Sequence, residues 1–291
     1  AVVWIGTYSG PVHTLDRETG EEIYWFAHGT SIGSSPLYVP EHNALYVSHE
    51  RGDFRDLPGG GYVSRNDPRT GRAAWVSGRI DHFPHSSVAV DPAANRVFVG
   101  ANDGVFRAYD ADTGALLWTR DFEPGDEYDP PTADIKTTPS VSPTRGLVIF
   151  GTWDRNVYAL DAATGETRWS VDTGGALMGS TAVHEASGRV YVGTTRARGA
   201  LLAIDLDSGE VVWRFDAGAG ISSSPAVNGS GDGVVVGSSN SRLWGIDTAT
   251  GQARWSFETD GPVTASPTWV GRDIYVAAFQ GSLYALEVDA P

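Results

Sequence analysis

Ala159-Leu-Asp-Ala-Ala-Thr-Gly-Glu-Thr-Arg-Trp169 is the stretch whose reading decides the fold. An Asp, a Thr three residues on, then a Gly make a tight turn: the two side chains bond local backbone, and Gly takes positive φ at no steric cost. The pattern Asp-x-x-Thr/Ser-Gly with an aromatic four residues after the Gly recurs along the chain. It reads Asp67–Gly71 with Trp75, Asp110–Gly114 with Trp118, Asp161–Gly165 with Trp169, Asp205–Gly209 with Trp213 and Asp247–Gly251 with Trp255. In the first copy, Asp16–Gly20, Tyr24 takes the aromatic place and Trp25 follows; the last copy stops at Ala285-Leu286-Glu287. The period is about 42 residues, with two insertions.

Each period holds four strand-sized runs separated by turn chemistry, with no helical spacing. Between Ser223 and Glu258 these are Ser-Ser-Pro-Ala-Val, Gly233–Gly237, Leu243–Ile246 and Ala253–Phe257. Four short antiparallel strands repeated about seven times make an all-β β-propeller, expected as a single domain over 1–291. Lettering the strands a to d, the first repeat has b, c and d (about 2–7, 11–16 and 22–27) and the last has a, b and c (about 265–270, 273–278 and 282–288). The terminal blades are therefore expected to be three-stranded. A longer full-length chain would leave room for an eighth blade, and the open edges invite pairing with another chain.

The repeat resembles the tryptophan-docking motif, Ala-x-Asp-x-x-Thr-Gly-x-x-x-Trp, of the pyrroloquinoline-quinone-like propeller family. Residues 159–169 and 108–118 match it at every fixed position, and 203–213 differ only at Ser208. The resemblance covers the whole chain and speaks to fold more than to activity. Family enzymes of this kind resemble eight-bladed quinone dehydrogenases of about twice this length, with a vicinal cysteine pair over the quinone, a Glu/Asn/Asp calcium site and a catalytic Asp. This chain has no Cys, so no cofactor is expected, and pyrroloquinoline quinone with Ca²⁺ is the alternative. The leading expectation is a non-catalytic platform for a ligand or protein, similar to outer-membrane assembly lipoprotein propellers and to extracellular sensor propellers attached to some kinases. The alternatives are a quinone-dependent oxidoreductase and a lyase or hydrolase using His49 or His85 as general base.

Loops between strands b and c and between d and a lie at one end of an up-and-down blade. Both insertions, 50–62 and 121–135, fall there. The start of strand a on that end carries Gly33, His85, Lys136, Gly179, Ser222 and Thr264. His85 and Lys136 occupy the same place in adjacent blades, and Lys136 is the sole lysine. That pair is expected to hold a small anion at the channel mouth, unless Lys136 merely neutralises the acidic loop before it (Asp126, Glu127, Asp129 and Asp134). The b–c turns carry Tyr8, His49, Asn102, Trp153, Thr195, Ser239 and Phe279, with Glu50, Asp154 and Arg196 beside them. Their aromatic members suggest a stacking surface for a flat ligand or simple caps on the sheets. The candidate ligand-binding residues are thus His49, His85, Lys136, Trp153, Asp154 and Phe279, expected to converge in one concavity. His49, His82 and His85 share the face, but no metal-ligand spacing is present.

The net charge is −15, which repels phosphate backbones and makes nucleic acid an unsuitable partner. No apolar run reaches the roughly 20 residues of a membrane helix. No signal peptide is recognisable, and the start within a strand-like segment suggests a trimmed form; an extracellular or cell-surface location is expected. The charged residues are 24 Asp, 12 Glu, 20 Arg and one Lys. Short carboxylates with almost no lysine resemble the surfaces of salt-adapted proteins; an Arg-rich codon bias is the plainer source. Simple screening saturates once the Debye length falls to about 3 Å near 1 M salt. A salt-adapted surface is therefore expected to show a melting temperature that keeps rising between 1 and 3 M KCl, and a flat curve from 0.1 to 3 M would refute it.

Overall fold

A computed structural model describes residues 1–52, 60–122, 134–195 and 199–288. The chain forms seven antiparallel sheets of three, five, four, four, four, four and three strands, the blades of an all-β propeller. Helix among the described residues is confined to two 3₁₀ turns, Pro40–His42 and Glu185–Ser187. By packing, the residues fall into two compact units: Ala1–Pro143 with Ala162–Glu166, and Thr144–Asp161 with Thr167–Pro291.

The terminal blades are three-stranded, as the sequence implies: Val2–Gly6, Pro11–Asp16 and Glu22–Ala27 in the first, Thr268–Val270, Asp273–Ala277 and Leu283–Glu287 in the seventh. The second blade carries a strand the repeat does not foretell. Gly29–Ser31 pairs with the far end of Ala44–Gly52, while Leu37–Val39 pairs with its near end.

Within a blade, burial follows residue type. Third-blade strand b, Arg96–Gly100, places Val97, Phe98 and Val99 fully inside, so its apolar run is continuous. Strand c, Val105–Asp110, alternates, and strand d, Leu116–Asp121, is mostly exposed. A strand covered on both faces needs apolar side chains at every position, whereas an outer strand needs them at alternate ones.

The Asp-x-x-Thr-Gly segments close the c–d corners. Asp67 Oδ1 accepts from the amides of Arg69 at 2.8 Å and Thr70 at 2.9 Å and from the Thr70 hydroxyl at 3.1 Å. Asp110, Asp205 and Asp247 repeat the arrangement. These donors hold the Asp carboxyls below their ordinary range; for Asp247 the Arg254 guanidinium is the largest cause and takes it to about 2. Gly209 sits at φ +76°, which the turn requires and other residues resist.

From the first blade to the fifth, an aromatic of the d strand then lies on the next blade's corner. Within the first unit, Trp75 Nε1 donates to Ala111 O at 2.9 Å and Trp118 Nε1 to Ala162 O at 3.3 Å. Within the second, Trp169 Nε1 donates to Leu206 O at 3.0 Å and Trp213 Nε1 to Thr248 O at 2.7 Å. The acceptor is always the residue after the turn Asp. The ring faces the turn glycine so closely that a Cβ on Gly209 would stand 2.8 Å from Trp169. In the first blade the tasks are divided: the Tyr24 hydroxyl donates to Pro68 O, while Phe26 covers Gly71.

Trp169 is therefore buried and bonded, whereas Trp25, on an outward face, is 57% exposed. Trp169→Ala is expected to cost roughly 3–5 kcal/mol, as buried aromatic truncations do. Trp25→Ala is expected to stay within about 0.5 kcal/mol. Denaturant midpoints compare the two directly; equal shifts would contradict the assignment.

Candidate functional site at the b–c and d–a end

Backbone hydrogen bonds confirm that b–c turns and d–a connections share one end of a blade. The turn amide of Asn102 donates to Phe83 O at 3.1 Å, and Thr195, Ser239 and Phe279 donate in the same way to Ala176, Gly220 and Pro262. The starts of strand a are joined by a ladder that sequence reading missed. In the first unit Ser35 N donates to Ser87 Oγ at 2.8 Å and Ser87 N to Thr138 Oγ1 at 3.3 Å. In the second, Ser180 N donates to Ser224 Oγ and Ser224 N to Ser266 Oγ. Serine or threonine recurs at this position, a signal visible in the repeat once sought.

The ladder fixes the register. It confirms Gly33, His85 and Lys136 as equivalent positions in successive blades, two residues before each rung. It corrects the fifth blade: the residue two before Ser180 is Met178, half exposed, not Gly179. Gly179 instead lies where a Cβ would come within 2.4 Å of Ser223 O, so that position admits no side chain without a shift.

Neither His85 nor Lys136 stands alone. His85 Nδ1 is bonded to Glu50 Oε1, and Glu50, only 5% exposed, also accepts from the Ser31 hydroxyl at 3.1 Å. Gly33 leaves the space that Glu50 occupies: a Cβ there would fall on its carboxylate and 3.3 Å from the Tyr8 hydroxyl. Lys136 Nζ is 3.1 Å from Asp134. The loop acids Asp126, Glu127 and Asp129 lie outside the described residues, as do 53–59 of the other insertion and Arg196.

His49 departs from expectation. It sits inside the strand Ala44–Gly52, not in a turn, and is fully buried. Its Nε2 meets Ser64 Oγ at 2.8 Å, Asn66 Nδ2 donates to the same oxygen, and the His28 ring lies edge-on at 6.0 Å. The ring belongs to a polar network inside the blade and offers nothing to solvent. Burial, with the His28 charge second, depresses its pKa to about 3.

In the second unit, Asp154 is also turned inward. Its carboxylate accepts from the Thr152 hydroxyl and from Asn156 N at 3.4 Å, holding its own b–c turn. Trp153 is half-buried, and Phe279 is 75% exposed. Among the six candidates, then, His85 and Lys136 share a position in adjacent blades, Trp153 and Phe279 stand on turns of the other unit, and His49 and Asp154 serve the blades themselves.

The described residues contain no group of three or more His, Asp or Glu side chains able to hold a metal ion, and the chain has no Cys. The vicinal cysteine pair that the family resemblance implies therefore has no counterpart in this chain.

The sequence model of the family described as outer membrane protein assembly factor BamB matches residues 1–152, 59–214 and 154–290. The BamB of Nitrosomonas eutropha is 28% identical over 167 residues, which are 57% of this chain and 33% of that protein. A quinone alcohol dehydrogenase subunit of Gluconacetobacter polyoxogenes is 38% identical over 78 residues, 26% of this chain and 10% of that one. The chain thus aligns with a third or less of the length of these relatives. Among solved structures, BamB of Moraxella catarrhalis superposes with a TM-score of 0.77 at 20% identity, over 99% of this chain and 82% of that one, a likeness of fold.

His49 supplies a pH signature. Its folded pKa lies below the ordinary 6.5, so the unfolded state binds the extra proton, and stability falls as pH drops from about 6.5 toward 3. The slope from this group is about 1.4 kcal/mol per pH unit. His49→Gln is expected to flatten the decline between pH 6.5 and 4.5 in denaturant melts; parallel slopes for the two proteins would disprove its neutral burial.

Proposed function

The chain belongs to the BamB family of pyrroloquinoline-quinone-like repeat propellers, and from that premise we propose that it is a non-catalytic platform that binds other proteins. One observation carries the reading. The outward face of the first blade is open and largely apolar: Ile5, His13 and Trp25 form one row, His13 bonded to Glu22, with Val3 and Ile23 beside it, and Ile23 is 54% exposed. In the second blade the residues equivalent to Val3 and Ile5 are Leu45 and Val47, both fully buried against the first blade's Val12 and Phe26. A contiguous apolar patch on a strongly acidic protein marks a contact surface.

The name of the relatives, an assembly factor of the outer membrane, supports a protein partner and an extracytoplasmic place of work. No helix among the described residues is long and apolar enough to cross a membrane. A small anionic or flat ligand would sit at the b–c and d–a end, near His85, Lys136, Trp153 or Phe279, where an anion must compete with Glu50 for His85 and with Asp134 for Lys136.

Cross-linking in producing cells, followed by mass spectrometry, is expected to join proteins to the first blade, and Trp25→Glu to abolish those links. The purified chain given pyrroloquinoline quinone, Ca²⁺ and ethanol is expected to reduce no dye. Quinone-dependent turnover would overturn the reading, and cross-links indifferent to Trp25→Glu would overturn its placement on this face.

A further inference from the structure

Several constraints converge on His85. Its Nδ1 is bonded to Glu50, whose side chain is only 7% exposed. Glu50 is held in turn by the Ser31 hydroxyl and fills the space left by Gly33. The backbone beneath the ring is tied as well: Phe83 O accepts from His85 N and from Asn102 N, each at 3.1 Å. The Phe83 ring stands edge-on to the imidazole, with centroids 6.2 Å apart. Gly33 and Met178 hold the same place in other blades without a polar side chain, so packing of the blades does not demand an imidazole there.

An ionised carboxylate can only accept, so the shared proton sits on His85 Nδ1. Nε2 lies across the ring from Glu50, no group among the described residues bonds it, and 33% of the side chain is exposed. Two residues on, Ser87 N donates to Thr138 Oγ1, which keeps His85 and Lys136 in step on adjacent blades. Lys136 follows Ile135, which is fully buried against Gly100, and its ammonium meets Asp134 at 3.1 Å.

An imidazole whose Nδ1–H is committed to a buried carboxylate keeps Nε2 for a ligand, and as imidazolium it offers a second N–H there. We propose that His85 Nε2 is a recognition point for a carboxylate group of a ligand. Two carboxylates then flank one imidazolium, Glu50 on the inside and the ligand on the outside. Charge-assisted hydrogen bonds of this kind are strong, and a ring already fixed by Glu50 loses little freedom on binding. With Glu50 and Asp134 close by, a monoanionic carboxylate suits the site better than a phosphate, whose second charge would be repelled. The carboxylate is that of a free organic acid or of an acidic side chain of a partner; its chemistry at His85 is the same. This rests on the platform reading and names the chemistry of a ligand at the b–c and d–a end.

The test labels the full chain with carbon-13 at histidine Cε1 and assigns the His85 signal by its loss in His85→Gln. The probes are succinate in one arm and the blocked peptide acetyl-Gly-Glu-Gly-amide in the other, both at constant ionic strength. A saturable shift of the His85 signal is expected; succinate alone acting identifies a free acid, and the peptide alone a partner's side chain. Glu50→Gln is expected to weaken binding about tenfold or more, as loss of a hydrogen bond to a charged group implies. His85→Gln, at a partly exposed position, is expected to remove the rise in melting temperature given by whichever probe binds, so the site stays testable should Glu50→Gln not fold. No saturable shift in either arm, an equal shift with inorganic phosphate, or a folded Glu50→Gln protein that binds unchanged would overturn the site. Such a failure leaves the first-blade cross-links standing, whereas quinone-dependent turnover would defeat the platform reading itself.

Discussion

The contact on which the structure depends is an indole N–H donating to the carbonyl of the residue after the next blade's turn Asp. Its geometry needs both partners. The turn must present that carbonyl outward, which Asp and Thr ensure by bonding the other polar groups of the corner to themselves. It must also offer a bare glycine, because the ring lies where a Cβ would be. A single repeat cannot satisfy the contact alone, so each blade is completed by its successor. Repeats of this kind gain stability from nearest-neighbour interfaces, and here that interface can be named at the level of one hydrogen bond and one ring.

Because the contact has a direction, the end blades are chemically unlike the rest. Among the described residues the first blade receives no such ring on its outward face, and Val3, Ile5, Ile23 and Trp25 are open where the second blade's Leu45 and Val47 are sealed. The sixth blade has a tryptophan but no Asp-x-x-Thr-Gly corner ahead of it. Trp255 settles against Gly245 of its own sheet, where a Cβ would stand 2.1 Å from the ring. The third, fourth and fifth blades carry Ala at that place, namely Ala108, Ala159 and Ala203. The exchange of Ala for Gly lets the ring lie closer to its own strand.

The corners, the strand limits and the two three-stranded blades were legible because a periodic backbone demands periodic turn chemistry. Strand ends at Asp16, Asp110, Asp205 and Asp247 coincide with the motif. The candidate site was less legible. His49 and Asp154 read as surface residues because they sit next to turns, yet the strand Ala44–Gly52 runs longer than its repeat and carries His49 inside. Glu50 was named only as a charged neighbour, although it is the buried carboxylate that positions His85. Contacts between residues 35 apart leave no periodic trace. The slip from Met178 to Gly179 has a similar cause: small residues fill the start of strand a, and only the hydroxyl ladder tells one from the next.

These observations separate two uses of polar residues. Aspartates of the corners, the hydroxyl ladder, Asp154 and the His49 network spend their hydrogen bonds on the blades, and all recur or lie buried. The row of Ile5, His13 and Trp25 on the first blade is left facing outward instead. In a repeat protein, what is repeated has already been explained by packing between neighbours. A contact surface for a partner is best sought where the repetition breaks.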